Sequence, residues 1–304
     1  MSRKFAHPSL YASALPLFVD VIDPQTDVGK PPVVMVHGGA HTGACYLRTI
    51  DGRPGWAMRF ATAGYPVVLP DWPGVGRSGA VSLRDLCGDY VCRLLQAFIE
   101  SLSEPVILLT HSMSGPYGWV LAERLGERVR GLIAVAPGQP GNIQKPGTVL
   151  NRNGDDVAVA MEAMPLRFNL NERVSVGVEF VERKLLGAST QFPRHLVKSY
   201  AASLHSLPPR LLYERLNIEG SQLRVERPSQ LSGCHILVVT GEHDSEHSRA
   251  LDSAIVDWLR TQGAIADFIF LPDVGERGNG HMLMLENNSD AVAKILIGWA
   301  DELR

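Results

Sequence analysis

Pro105-Val106-Ile107-Leu108-Leu109-Thr110 runs without a break into His111-Ser112-Met113-Ser114-Gly115-Pro116. The first half is an apolar run of strand length, the pattern of a strand covered on both faces. Pro116 suits the first turn of a helix, where its missing N–H costs nothing. A strand that turns sharply into a helix at a serine is the setting of the Gly-x-Ser-x-Gly nucleophile turn, with Thr110 and Ser114 in the two glycine positions. Small residues are needed there because neighbouring backbones come close, and Thr110 is the larger departure. Such a turn lifts the Ser112 hydroxyl clear of the chain at a helix N-terminus, whose dipole favours negative charge. The plain alternative is that Ser112 only caps the helix. Partners elsewhere in the chain argue against it.

Working outward, similar buried-strand runs occupy 32–36, 65–69, 131–136, 235–240 and 268–271, and amphipathic helical stretches occupy 82–101, 114–127, 246–262 and 286–303. Strand and helix alternate, which predicts an α/β fold with a mostly parallel sheet and helices on both faces. The alternation stops after Pro137. From 138 to 230 the pattern holds no convincing strand and reads as short helices between Gly and Pro. That span is too long for a plain loop. The expected organisation is therefore a core made of 1–137 and 231–304, with 138–230 inserted as a helical lid over the strand ends.

Three further stretches supply partners for Ser112. Run 32–36 leads into His37-Gly38-Gly39-Ala40. Acyl transfer needs backbone N–H groups aimed at the oxygen that becomes negative, each worth about 3 kcal/mol to the transition state. Met113, the residue after the serine, and Gly39 are the expected donors, and glycine allows the close approach. His281, in Gly278-Asn279-Gly280-His281-Met282, follows the last strand and is the expected base. His7, His195 and His205 read as surface or cap residues, and His111 as structural. A carboxylate must orient the imidazole. Asp244, in the Gly241-Glu242-His243-Asp244 loop after 235–240, is the expected acid, because sites in open α/β sheets gather at the carboxyl ends of the strands. Glu242 and Glu246 compete for that role.

Bulk composition agrees with a globular, core-forming chain. Of 304 residues, 45% are hydrophobic and 20% charged. A net charge of −3 selects neither nucleic acid nor an anionic membrane surface as a partner. No apolar run approaches the roughly 18–20 residues that span a bilayer. Arg3 and Lys4 are not followed by the apolar core of a leader peptide, so none is read. Cys45, Cys87, Cys92 and Cys234 show neither paired nor zinc spacing, and free thiols in a cytoplasmic protein are expected. A homodimer is allowed by the sequence but not read from it.

The sequence resembles the α/β-hydrolases, and within them a group of bacterial esterases first described from an alkaliphile. The shared stretches are His37-Gly38-Gly39-Ala40-His41-Thr42-Gly43, Asp51-Gly52-Arg53-Pro54-Gly55-Trp56 and Asp71-Trp72-Pro73-Gly74-Val75-Gly76-Arg77-Ser78, then His111-Ser112-Met113-Ser114-Gly115, Leu271-Pro272-Asp273-Val274-Gly275, Gly278-Asn279-Gly280-His281-Met282 and Asn287-Asn288. The resemblance runs from about residue 16 to the end and is loosest across the insertion. It implies a sheet plus lid, a Ser-His-acid triad, no cofactor, and Gly39 and Met113 as oxyanion donors. There are two departures. The group often takes its acid as a Glu before Pro-Gly at the end of the strand preceding the lid, where this chain has Ala136-Pro137-Gly138. The paired cysteines found beside the oxyanion loop in some members are also missing.

The expected function is hydrolysis of a carboxylic ester or related acyl bond of a small molecule, through an acyl-enzyme on Ser112, without cofactor or metal. An amidase or carbon–carbon hydrolase shares this layout. A lyase, a cofactor-free oxygenase or a ligand receptor would keep the fold and drop the hydrolysis. His243-Asp244-Ser245-Glu246-His247 also matches the zinc-peptidase pattern H-x-x-E-H, but it is short and lacks a third ligand. The substrate is not readable. Met113, Trp119, Phe168, Phe180, Phe192 and Tyr200 could each line a pocket or fill a core.

Overall fold

A computed structural model describes residues 15–161 and 164–303. His7, Arg3 and Lys4 lie outside the described residues. Seven strands form the main sheet: β1 (Val19–Ile22), β2 (Val33–Val36), β3 (Val67–Pro70), β4 (Val106–His111), β5 (Val129–Val135) and two more that follow the insertion. The insertion holds β6 (Val149–Asn153), β7 (Asp156–Val159) and β8 (Leu166–Asn169), after which come β9 (His235–Thr240) and β10 (Ile265–Phe270). The main sheet has the order β1-β3-β2-β4-β5-β9-β10. Only β1 runs antiparallel to its neighbour.

The sheet separates two cores because side chains alternate between its faces. Val34, Val36, Leu108, Leu132 and Val238 point to one face. There they meet α2 (Gly88–Ser101), α3 (Gly115–Leu125) and α7 (Arg249–Thr261) through Leu95, Phe98, Val120 and Ile255. Val33, Met35, Leu109, Ile133 and Val239 point to the other face, against Trp56 and Phe60 of α1 (Trp56–Thr62) and Val292 and Leu296 of α8 (Ser289–Glu302). Each such side chain is fully buried and contributes about 1.5–3 kcal/mol. The result is an α/β fold with a mostly parallel sheet covered on both faces.

The described residues of 138–230 add no strand to this sheet. They differ from the all-helical expectation in one respect: β6, β7 and β8 form a separate antiparallel sheet. The β6–β7 turn is Gly154-Asp155, with Gly154 at φ +59°. Gly-Asp is a two-residue hairpin signal, but the strands around it are short and β6 is mostly exposed, so apolar periodicity does not mark them. The rest of the insertion is short helices: α4 (Val178–Phe180), which continues as a π turn over Val181–Leu186, then α5 (Val197–Ala202) and α6 (Pro209–Arg215). β1 and α1 also escape the periodicity, being four and seven residues long.

The insertion is tied to the core by α6. Glu214 accepts a 2.7 Å hydrogen bond from the Gly88 backbone N–H at the start of α2. Burial pushes its carboxyl up from 4.5 to about 7, against the opposing effect of that hydrogen bond. Between those values the folded chain holds a proton that the unfolded chain has released, so stability falls as pH rises from 4.5 towards 7 and stays lowered above it. Glu214→Gln keeps the acceptor and removes the charge. It should gain about 2–3 kcal/mol relative to wild type between pH 5 and 8. Denaturant titrations at both pH values check this; parallel pH profiles for the two proteins would refute it.

Candidate active site

β4 ends at His111, and Ser112 follows at φ +54°, a left-handed backbone that costs a non-glycine residue roughly 1–2 kcal/mol. A residue held there at the mouth of a sheet marks a built turn. The Ser114 hydroxyl accepts from the His111 N–H at 3.0 Å and lies within donating distance of the Val36 and His111 carbonyls, at 3.0 and 2.9 Å. The Gly138 N–H donates to the Ser112 carbonyl at 2.9 Å. Ser114 thus does more than keep its glycine position small: it pins the turn to β2. Thr110 is fully buried, and among the described residues its hydroxyl has no hydrogen-bond partner.

The three residues expected as nucleophile, base and acid lie in one hydrogen-bonded line. The Ser112 hydroxyl donates to His281 Nε2 at 2.8 Å, and His281 Nδ1–H donates to Asp244 Oδ2 at 2.7 Å. This tautomer follows from the partners on each side. Asp244 and His281 meet because their loops are laced together. The His243 N–H donates to the Asn279 carbonyl at 2.7 Å, and the Gly278 N–H to Glu242 at 2.8 Å. A Cβ on Gly241 would stand 2.4 Å from the Gly280 carbonyl oxygen, so only glycine permits this approach. Glu286 secures the His281 loop from behind, accepting from the Gly280 N–H and the Asn279 amide, both at 2.7 Å.

The Asp244 side chain is wholly buried. Burial by itself would raise its carboxyl. The neighbouring His281 and His247, the bond from His281 and the Glu246 N–H outweigh that and hold it well below the usual carboxylate range. Its competitors are engaged elsewhere. Glu242 accepts from Gly278 and faces Arg277 at 3.5 Å. Glu246 pairs with Lys184.

Behind His281 stands a pair that the sequence reading did not single out. The His247 ring stacks on the His281 ring, with centroids 5.3 Å apart and planes 15° from parallel. Its Nδ1 lies 3.1 Å from Asp252 Oδ1, and Asp252 in turn accepts from the Thr240 hydroxyl at 2.6 Å. The His247 backbone N–H donates to Asp244 at 3.1 Å. Burial would lower the His247 imidazole, but Asp252 and Asp244 raise it above its ordinary value. The only sequence signal was the Asp at i+5, which becomes meaningful once α7 packs against β9. His243, the other histidine of the zinc-like pattern, is about a third exposed. Among the described residues no three His, Cys, Asp or Glu side chains gather as a metal set.

Gly39 and Met113 line the same cavity as Ser112 and His281. A Cβ on Gly39 would fall 2.1 Å from Met113 Sδ and 3.0 Å from Leu207, so the two loops touch at this point. His41 holds the Gly39 loop in place. Its Nδ1–H donates to the Gly39 carbonyl at 2.7 Å, and its Nε2 accepts from the Tyr200 hydroxyl of α5 at 2.8 Å. Burial pushes the His41 imidazole down to about 3, so it stays neutral and can accept that bond. His111 is also neutral, lowered by burial and by nearby His281, and its Nε2–H donates to the His281 carbonyl at 3.1 Å.

The cavity above Ser112 has a volume of about 270 Å³. Its apolar wall includes Met113, Phe180, Leu185, Leu207, Leu212 and Leu216. Of the aromatic candidates, Phe180 therefore faces the cavity. Trp119 is buried and donates to the Gly138 carbonyl, while Phe168, Phe192 and Tyr200 belong to the cores. His195 and His205 are exposed. All four cysteines are free, and no described helix is long and apolar enough to cross a membrane.

Comparison with known proteins agrees with this architecture. The chain is 25% identical over 340 residues to a protein named a probable secreted lipase from a fungal species, covering 93% of this chain and 85% of that one. It is 32% identical over 124 residues to a 2-hydroxy-6-oxononadienedioate/2-hydroxy-6-oxononatrienedioate hydrolase of Paraburkholderia phymatum, covering 40% of this chain and 41% of that one. A solved bacterial esterase superposes with a TM-score of 0.58 at 18% identity, covering 94% of this chain and 85% of the other, which shows a shared fold. The model of the alpha/beta hydrolase family matches residues 33–295, most of the length, and this chain belongs to that family.

Proposed function

We propose that this chain is a serine hydrolase that cleaves a carboxylic ester or related acyl bond of a small molecule. The observation that carries the reading is the unbroken Asp244–His281–Ser112 hydrogen-bond line opening on an apolar cavity. His281 takes the Ser112 proton as the oxygen attacks the scissile carbonyl carbon. The Gly39 and Met113 N–H groups receive the oxyanion. His281 then gives its proton to the leaving group. Water, activated by the same imidazole, releases the acid from Ser112. No step calls for a cofactor or a metal. Residues 138–230 act as a lid that shapes substrate choice, a role supported by Phe180, Leu207 and Leu212 standing in the cavity wall. Four unpaired cysteines favour a reducing compartment such as the cytoplasm.

A serine-directed fluorophosphonate should label Ser112 stoichiometrically and abolish turnover of simple para-nitrophenyl esters. Labelling of another residue, or full turnover after labelling, would overturn the assignment. An amidase would also label at Ser112 and cleave these activated esters, and is told apart by its turnover of the matched para-nitroanilides.

A further inference from the structure

Apart from Ser112, His281 and Ser245, the polar side chains among the cavity's lining residues are Arg183, Lys184, Arg215 and Glu246, which are neighbours through the ion pairs of Glu246 and the 183–184 turn. Lys184 and Glu246 pair closely. Arg215 reaches the same carboxylate only at 4.0 Å. Arg183 faces the exposed Glu179, also at 4.0 Å. Among the described residues, neither guanidinium makes a side-chain hydrogen bond, although the Arg215 side chain is only 19% exposed. Burial would raise the Glu246 carboxyl, but Arg215 and Lys184 hold it below its ordinary value, so it is ionised and is shared between two cations.

This is an unusual allocation. A half-buried guanidinium carries five donors in a planar fork that matches a carboxylate two at a time. Taking that charge out of water is costly unless an anion meets it. One carboxylate, Glu246, for both Lys184 and Arg215 leaves this part of the cavity positive, with Arg215 undersupplied. Among the described residues Arg215 meets no second carboxylate, and the ligand would supply one.

We infer that the substrate is an apolar acyl compound carrying a carboxylate, which Arg215 binds through its guanidinium with Arg183 at the rim. This rests on the hydrolase reading above. The scissile carbonyl sits at Ser112, the hydrocarbon body lies along Leu207, Leu212 and Leu216, and the carboxylate stands where Glu246 leaves Arg215 unsatisfied. Both arginines come from the insertion, Arg215 at the end of α6 and Arg183 in the π turn. The Ser245 hydroxyl bonds the Arg183 and Lys184 carbonyls at 3.1 Å, so the basic turn is fastened to the loop that carries Asp244. Selectivity and the triad are therefore mechanically joined.

The test compares para-nitrophenyl half-esters of adipic, suberic and sebacic acids with para-nitrophenyl esters of hexanoic, octanoic and decanoic acids. Wild type should favour at least one half-ester over its neutral counterpart about tenfold or more in kcat/KM, mainly through KM, because a charge-assisted bidentate contact is worth at least that. Added salt should erode the preference. In Arg215→Met the ratio should fall towards one, and Arg215→Lys, which keeps the charge without the fork, should retain part of it. Arg183→Met, at an exposed site, should weaken the ratio even if the Arg215 variants fold poorly. Turnover of the neutral esters with no half-ester preferred, or a preference untouched in Arg215→Met, overturns this inference and leaves the hydrolase reading standing. Turnover of neither series overturns both.

Discussion

Ser112→Ala should lower kcat by roughly 10⁴- to 10⁶-fold while leaving the fold intact. The hydroxyl donates to His281 and, among the described residues, has no other partner. The left-handed backbone at this position is held by the Ser114 and Gly138 bonds, which an alanine leaves in place. Residual turnover would come from the oxyanion donors and from substrate binding. The loss should not compound with that of His281→Ala, since the two side chains act as one unit. Steady-state rates of the single and double variants, with thermal unfolding as the control for folding, check both points. Ser112→Ala turnover within about tenfold of wild type would sink the nucleophile assignment.

Asp244→Asn should lower kcat by about 10⁴-fold with little change in KM. Asp244 does two jobs. One oxygen accepts from the Glu246 and His247 N–H groups at 2.8 and 3.1 Å and shapes the loop; the other accepts from His281. An asparagine keeps the first role through its carbonyl. It then presents an amide N–H₂ to His281, which turns Nδ1 into an acceptor and moves the ring proton to Nε2. That tautomer cannot take the Ser112 proton, and no charge remains to stabilise the imidazolium. The matched comparison is Glu242→Gln and Glu246→Gln, whose carboxylates bind Gly278 and Lys184 instead. A mild Asp244→Asn beside a severe result in either of those would move the acid to that residue.

The strand periodicity was legible because β2, β4, β5 and β9 are buried on both faces over most of their length and are therefore mostly apolar. Chain order then marked Ser112, His281 and Asp244, and the glycines around Gly39 and Gly280 marked loops that approach other backbone. Short elements were illegible for the converse reason. β6 exposes most of its residues to water, so nothing in its composition records that it pairs with β7. The insertion was visible as a break in pattern, but its own three-stranded sheet was not.

By itself, the sequence determined the parallel sheet, the strand-to-helix serine turn and the set of carboxylates from which an acid could come, since these are written in local pattern and chain order. Only the tertiary structure decided which carboxylate meets His281, that His247 and Asp252 back it, and that Lys184 and Arg215 share one Glu246 beside an apolar cavity. Those relations join residues from separate loops. Their energies come from distance and burial, which exist only once β9, the His281 loop and the insertion have packed together.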